Sequence, residues 1–135
     1  MNFIDSNVIM YAAGREHPLK KPSLRILERI QSNQLEAVSS VEVLQEILYR
    51  YWSIGVLTKG LQVFADFESL IPTFLGIKPA DLLLARDLLS RHSKINPRDA
   101  LHAAVMKNNK IVTIISADRD FDGIPGVKRK DPSEF

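Results

Sequence analysis

Four acidic residues stand where an α/β chain would gather a cation: Asp5, Glu46, Asp99 and Asp118. Asp5 follows the short apolar run Phe3-Ile4. Asp118 follows the β-branched run Ile111–Ile115. Asp99 lies in the first turn of a helix opened by Asn96-Pro97. Open parallel sheets bind ligands at the carboxyl ends of their strands. Carboxylates collected there repel one another unless protons or hard cations such as Mg²⁺ compensate. Together they would wall a metal site suited to phosphodiester chemistry.

Each acid also has an ordinary reading. Asp5 could simply cap the next helix, and Asn7 could orient a ligand or cap likewise. Asp118 sits in Ser116-Ala117-Asp118-Arg119-Asp120-Phe121-Asp122, a loop with two further acids. The shortest path from the strand favours Asp118, and Ser116 could hold a carboxylate or a metal-bound water. Asp99 could merely complement the helix dipole. Its helix, however, is apolar nearly all round (Ala100, Leu101, Ala103, Ala104, Val105), and a buried carboxylate needs partners. Glu46 falls off the Leu44-Ile47-Leu48 stripe and precedes Arg50 by four residues, the pattern of an exposed ion pair. Spacing alone therefore puts Glu46 on the surface. His102, three residues after Asp99, could ligate a metal, although such a histidine is more often packed or hydrogen-bonded. Gly123-Ile124-Pro125-Gly126 reads as a turn, not a phosphate-binding loop.

The elements that must position these residues alternate in type. Short strands are predicted at residues 3–4, 35–38, 73–77, 111–115 and, as an edge, 127–130. Helices are predicted at residues 8–13, 22–33, from a Ser39 or Ser40 cap to a break at 53–55, 59–70, 79–92 and 98–108. Leu24, Leu27 and Ile30 mark the buried side of the second helix. Leu82, Leu83, Ala85, Leu88 and Leu89 mark that of the fifth. Strands alternating with helices imply a parallel sheet covered on both faces.

The bulk numbers limit the rest. A chain of 135 residues, 45% hydrophobic and 25% charged, fits one domain over 1–135 with a substantial core. Eighteen basic residues against sixteen acidic give a net charge of +2 and a pI of about 9.0, compatible with a nucleic-acid partner. The absence of cysteine removes disulfides, thiolate zinc sites and cysteine nucleophiles, and fits a reducing interior. No signal-peptide pattern opens the chain, and no apolar run approaches the roughly 20 residues of a membrane helix. The expected location is the cytoplasm, with no membrane partner.

Taken in order, the motifs resemble those of the PIN-domain nucleases, most closely the VapC-type toxin ribonucleases of toxin–antitoxin systems. The likeness spans almost the whole chain. Ile4-Asp5-Ser6-Asn7-Val8-Ile9 is similar to the first acidic motif, and Ser40 through Gln45-Glu46-Ile47-Leu48 to the second. Arg98-Asp99-Ala100-Leu101-His102-Ala103-Ala104 is very similar to the third and is the most specific. The segment Ser116–Asp122 resembles the fourth, with serine where threonine is frequent.

The resemblance implies a three-layer α/β/α sandwich around a mostly parallel sheet of about four to five strands. It also implies one pocket shared by Asp5, Glu46, Asp99 and Asp118, against the wheel-based reading of Glu46. The expected activity is a metal-dependent endoribonuclease using one or two Mg²⁺ or Mn²⁺ ions, leaving a 5′-phosphate and a 3′-hydroxyl. Asp5 and Asp99 are the expected direct ligands and Asp118 a third, with Glu46 as base or supporting group. Asn7, Ser116 and Asp120 would support the site. Arg98, Arg119, Lys128 and Arg129, with Lys107, Lys110 and Lys130, are the candidates for gripping RNA phosphates. A homodimer and a cognate antitoxin are the expected partners. The rival readings are a non-catalytic RNA-binding scaffold, a DNA nuclease and a small-molecule phosphohydrolase.

Overall fold

Six helices and five short strands alternate along the chain in the computed structural model, which describes residues 1–135. β1 (Asn2–Ile4) leads into α1 (Ser6–Ala13) and α2 (Lys20–Gln31). β2 (Ala37–Ser40) is followed by α3 (Val41–Ser53) and α4 (Leu57–Leu70), and β3 (Phe74–Leu75) by α5 (Pro79–Arg91) and α6 (Pro97–Asn108). β4 (Thr113–Ile115), a 3₁₀ turn at Arg119–Gly123, β5 (Lys128–Lys130) and a last 3₁₀ turn at Pro132–Glu134 complete it.

All pairings are parallel, in the order β3-β2-β1-β4-β5. The central strands β1 and β4 pair Phe3 with Ile114 and Ile4 with Ile115, and these four side chains are fully buried. A strand buried on both faces has no polar side to alternate with, which is why these runs are continuously apolar. From β1 the chain steps outward through β2 to β3, then returns to β4 on the other side of β1. Right-handed crossovers in opposite directions put their helices on opposite faces. Accordingly α1 to α4 pack among themselves, while α5 and α6 pack on each other. This is the expected three-layer sandwich, with a sheet that is parallel throughout.

Several boundaries differ from the sequence-based expectation for local reasons. The second strand begins at Ala37, not Leu35, because the Gln34 and Leu35 amides donate to the Arg29 carbonyl at the end of α2. Asn33, left-handed at φ 58°, allows that reversal. The fourth strand loses Ile111 likewise, since its amide closes α6 by donating to Met106. α2 starts at Lys20, with Pro22 inside the first turn, where no amide is needed.

The buried side of α5 also differs. Leu82 and Leu83 are exposed, and Asp81, Ala85 and Leu88 face inward. Asp81 accepts from the Lys78 amide (2.7 Å) and from Asn108 Nδ2 (2.8 Å), tying the start of α5 to the end of α6. In α2, Leu24 is exposed and Ile26 joins Ile30 in the core.

Candidate active site

The strand order reverses between β1 and β4, the place where open parallel sheets form their ligand crevice at the carboxyl edge. Asp5 is the residue after β1 and caps α1, its Oδ1 accepting from the Ser6 amide at 2.7 Å. Its own amide donates to the Ile115 carbonyl, so sheet pairing continues to the edge of the crevice. Oδ2 accepts from Ser116 Oγ at 2.6 Å and from Asn7 Nδ2 at 3.1 Å. Asn7 Nδ2 also donates to Ser116 Oγ, and Asn7 Oδ1 accepts from the Ala117 amide. Cap and orienter are thus combined: Asp5 and Asn7 lace the end of β1 to the loop after β4.

Ser116 Oγ receives the Asp118 amide at 3.0 Å, and Asp118 Oδ1 receives the Asp120 amide at 2.9 Å. The loop is braced from below by Phe121, which is fully buried. Asp99 rests in the first turn of α6, 6% exposed. Its amide donates to Asn96 Oδ1 and its Oδ2 accepts from Asn96 Nδ2, a reciprocal cap.

Glu46 is 8% exposed, which overturns the surface reading drawn from its wheel position. The buried stripe of α3 is Val43-Glu46-Ile47-Tyr51; Leu44 and Leu48 lie at its margin. Glu46 makes no ion pair with Arg50. Its Oε2 accepts from Ser6 Oγ at 2.8 Å, and its Oε1 meets His102 Nε2. His102 is buried, with its ring near Phe3 and Phe121. Its packed and hydrogen-bonded state matches the ordinary expectation for it.

Two ligand-capable groups result. Asp5, Glu46 and His102 present donor atoms within 4.8 Å of one another, as do Asp99, Asp118 and Asp120. Charge coupling links them. Burial raises the Asp5 pKa, opposed by nearby His102 and reinforced by Glu46. Asp99 is pushed up to about 7, first by burial, then by the Asp118 charge and its hydrogen bond, then by Asp5. Burial alone would lower the His102 pKa, but the hydrogen bond to Glu46 and the surrounding acids raise it. Carboxylates that disfavour their own ionised form, gathered among oxygen donors, fit a hard divalent cation.

The predicted basic residues disperse. Arg119 lines a hollow with Arg91, His92 and Lys94, beside Asp120. Arg98 lines a different one with Glu42 and Leu101. The Arg129 guanidinium is committed to Asp122, Asp131 and the Ser116 carbonyl, with its side chain 11% exposed. It braces the loop from inside, while Lys128 is exposed in β5. Sequence reasoning missed Ser6 as the holder of Glu46, and it read Asn96 as a helix cap without its bond to the Asp99 carboxylate. The Ser-x-x-Asp-like spacing of Asn96 and Asp99 was the available signal for the second.

A parallel 3-2-1-4-5 sheet between two helical layers, with carboxylates converging at its switch point, defines an α/β/α protein with an acidic, metal-competent crevice. Among known families, residues 3–127 match the PIN domain. The chain belongs to the PIN domain family. It is 40% identical over 129 residues to Ribonuclease VapC13 of Mycobacterium tuberculosis, covering 96% of this chain and 98% of that protein. Identity to Ribonuclease VapC23 of the same species is 35% over 121 residues, 87% of this chain and 93% of the relative. Among solved structures, VapBC2 from Rickettsia felis bound to promoter DNA matches with a TM-score of 0.76 at 16% identity, over 96% and 97% of the two chains. M. tuberculosis VapC20, a sarcin-ricin loop cleaving toxin, matches at 0.70 and 15%, over 94% and 98%. These structures share the fold.

Proposed function

We propose that residues 1–135 form one PIN-type domain acting as a metal-dependent endoribonuclease, the toxin of a toxin–antitoxin pair. The observation that supports the reading is the gathering of Asp5 and Glu46 with His102, and of Asp99 and Asp118 with Asp120, in two ligand-capable groups linked by the Asp5 charge acting on Asp99. Relatives named as ribonucleases at up to 40% identity supply the substrate class. Solved VapBC complexes among its structural neighbours support a cognate antitoxin. Such a toxin would work in the cytoplasm, and no helix here is long and apolar enough to cross a membrane.

Asp5 and Asp99 would hold Mg²⁺ or Mn²⁺ directly, with Asp118 as a third ligand or the holder of a metal water. A bound ion of this kind lowers the pKa of water and offsets charge on the phosphoryl and leaving oxygens. Ser116 and Asn7 fix the Asp5 carboxylate, so it needs little reorganisation to accept a cation. Asn96 does the same for Asp99. Glu46, gripped through both oxygens by Ser6 and His102, is oriented to accept the proton of the attacking water. In-line attack leaves a 5′-phosphate and a 3′-hydroxyl.

The deciding measurement is cleavage of labelled RNA and matched single-stranded DNA with and without Mg²⁺ or Mn²⁺, followed by sequencing of the ends. RNA-selective, metal-dependent cuts bearing 5′-phosphates are expected. Asp5→Asn and Asp99→Asn should each fold normally and lose about 100-fold or more in rate, by analogy with loss of other metal-site groups. Full activity in both variants would refute the site.

A further inference from the structure

We propose that a hollow between α1, the turn after it and the α3–α4 corner seats a nucleotide of single-stranded RNA next to the scissile phosphate; this rests on the ribonuclease reading. The hollow encloses about 440 Å³ and opens beside the acidic crevice, with Asn7 lining it. Asn7 donates to Asp5 and Ser116, so one residue belongs to both. Three cations line the hollow, Arg15, Arg50 and Lys59. All three are exposed, none takes part in an ion pair, and no carboxylate lines the walls. Unpaired cations around a carboxylate-free hollow, beside an acidic crevice, provide the positive charge that a phosphodiester backbone would need there.

Aromatic faces accompany the charge. Tyr11 and His17 stack at 4.5 Å between ring centroids and both line the hollow, while Tyr51, only 6% exposed, belongs to the core behind it. His17 Nδ1 accepts the Leu19 amide at 3.0 Å, which fixes the ring. Aromatic platforms interleaved with cations are how proteins hold unpaired bases without reading their edges. The other hollows lack this combination. The one beside Arg119 carries Asp120 and no tyrosine, and the one lined by α1, α2 and α4 has Glu28 and Asp66 on its walls and no aromatic ring. An acidic peptide would use the cations but has no need of fixed rings, so single-stranded RNA is the better match.

The test reads binding apart from cleavage. Anisotropy of a fluorescein-labelled single-stranded RNA decamer is measured in EDTA, for the full chain and for the exposed-site variants Arg15→Ala/Lys59→Ala and His17→Ala, with Arg86→Ala outside the hollow as control. Each hollow variant should bind about tenfold more weakly, and the double variant should show a salt slope shallower by about one to two. Arg86→Ala should match the full chain. Unchanged affinity in both hollow variants, or an equal loss for double-stranded RNA, would overturn the seat. So would RNA affinity that stays intact while binding of a labelled polyglutamate peptide disappears. Normal RNA binding by these variants in an active ribonuclease would sink the seat alone. Weakened binding in a chain that cuts no RNA would sink the ribonuclease reading and the scissile phosphate with it, leaving the hollow as a single-stranded RNA contact only.

Discussion

Asp99 keeps its proton to about pH 7 in the metal-free chain, because burial and the adjacent Asp118 charge oppose ionisation. Its unfolded value lies near 3.8, so between these values the folded state binds more protons than the unfolded. Stability therefore falls as pH rises through this window. Asp5 and His102, also raised, push in the same direction. In EDTA the Tm should be several degrees higher at pH 6 than at pH 8. Mg²⁺ should narrow the gap, and Asp99→Asn should raise the pH 8 value; a melt flat across this range would contradict the electrostatics described. Metal uptake should release a proton near neutral pH, measurable by calorimetry in two buffers of different ionisation enthalpy. Glu46→Gln should keep the fold and slow cleavage by about 10²–10⁴-fold if it is the base. Asp5 and Asp99 were readable from strand ends and helix starts. Glu46 was not, because a wheel ranks faces by hydrophobicity and this one is buried through hydrogen bonds to Ser6 and His102.

Helix packing supplies two further tests. Gly60 in α4 lies against Tyr51 in α3, and an added Cβ would come within 2.4 Å of the Tyr51 Cβ. Alanine normally stabilises a helix over glycine by about 1 kcal/mol. Here overpacking should reverse the sign, with Gly60→Ala costing about 1–3 kcal/mol in denaturant melts. Arg129→Ala should release the loop that carries Asp118 by removing its bonds to Asp122, Asp131 and the Ser116 carbonyl. Cleavage should slow with little change in RNA affinity, a split visible as lower kcat at constant KM. Among the elements, α6 and its Asn96 cap were fully readable. The faces of α5 were not. Leucines at 82 and 83 suggested a buried stripe, but Asp81, bonded to Asn108, holds the inward position.

Across the whole molecule, charge separates by region. Of the sixteen acidic residues, Asp5, Glu46, Asp99, Asp118 and Asp120 belong to the crevice, leaving eleven against eighteen cations elsewhere. A near-neutral total thus covers a basic exterior, and RNA affinity should fall steeply between 50 and 200 mM salt. A flat response in filter binding would argue against backbone contacts. Alternating strands and helices announced the layers, but strand order is a long-range property that local pattern does not carry. It is that order which has a consequence during synthesis. β1 pairs with β4 across more than a hundred intervening residues, Asn2 with Thr113. A nascent chain that has exposed only Asp5 and Glu46 has no neighbour for β1 on that side and no loop to supply Ser116. The cutting edge can close only after β4 has left the ribosome, so translation itself delays the appearance of a nuclease beside the message that encodes it.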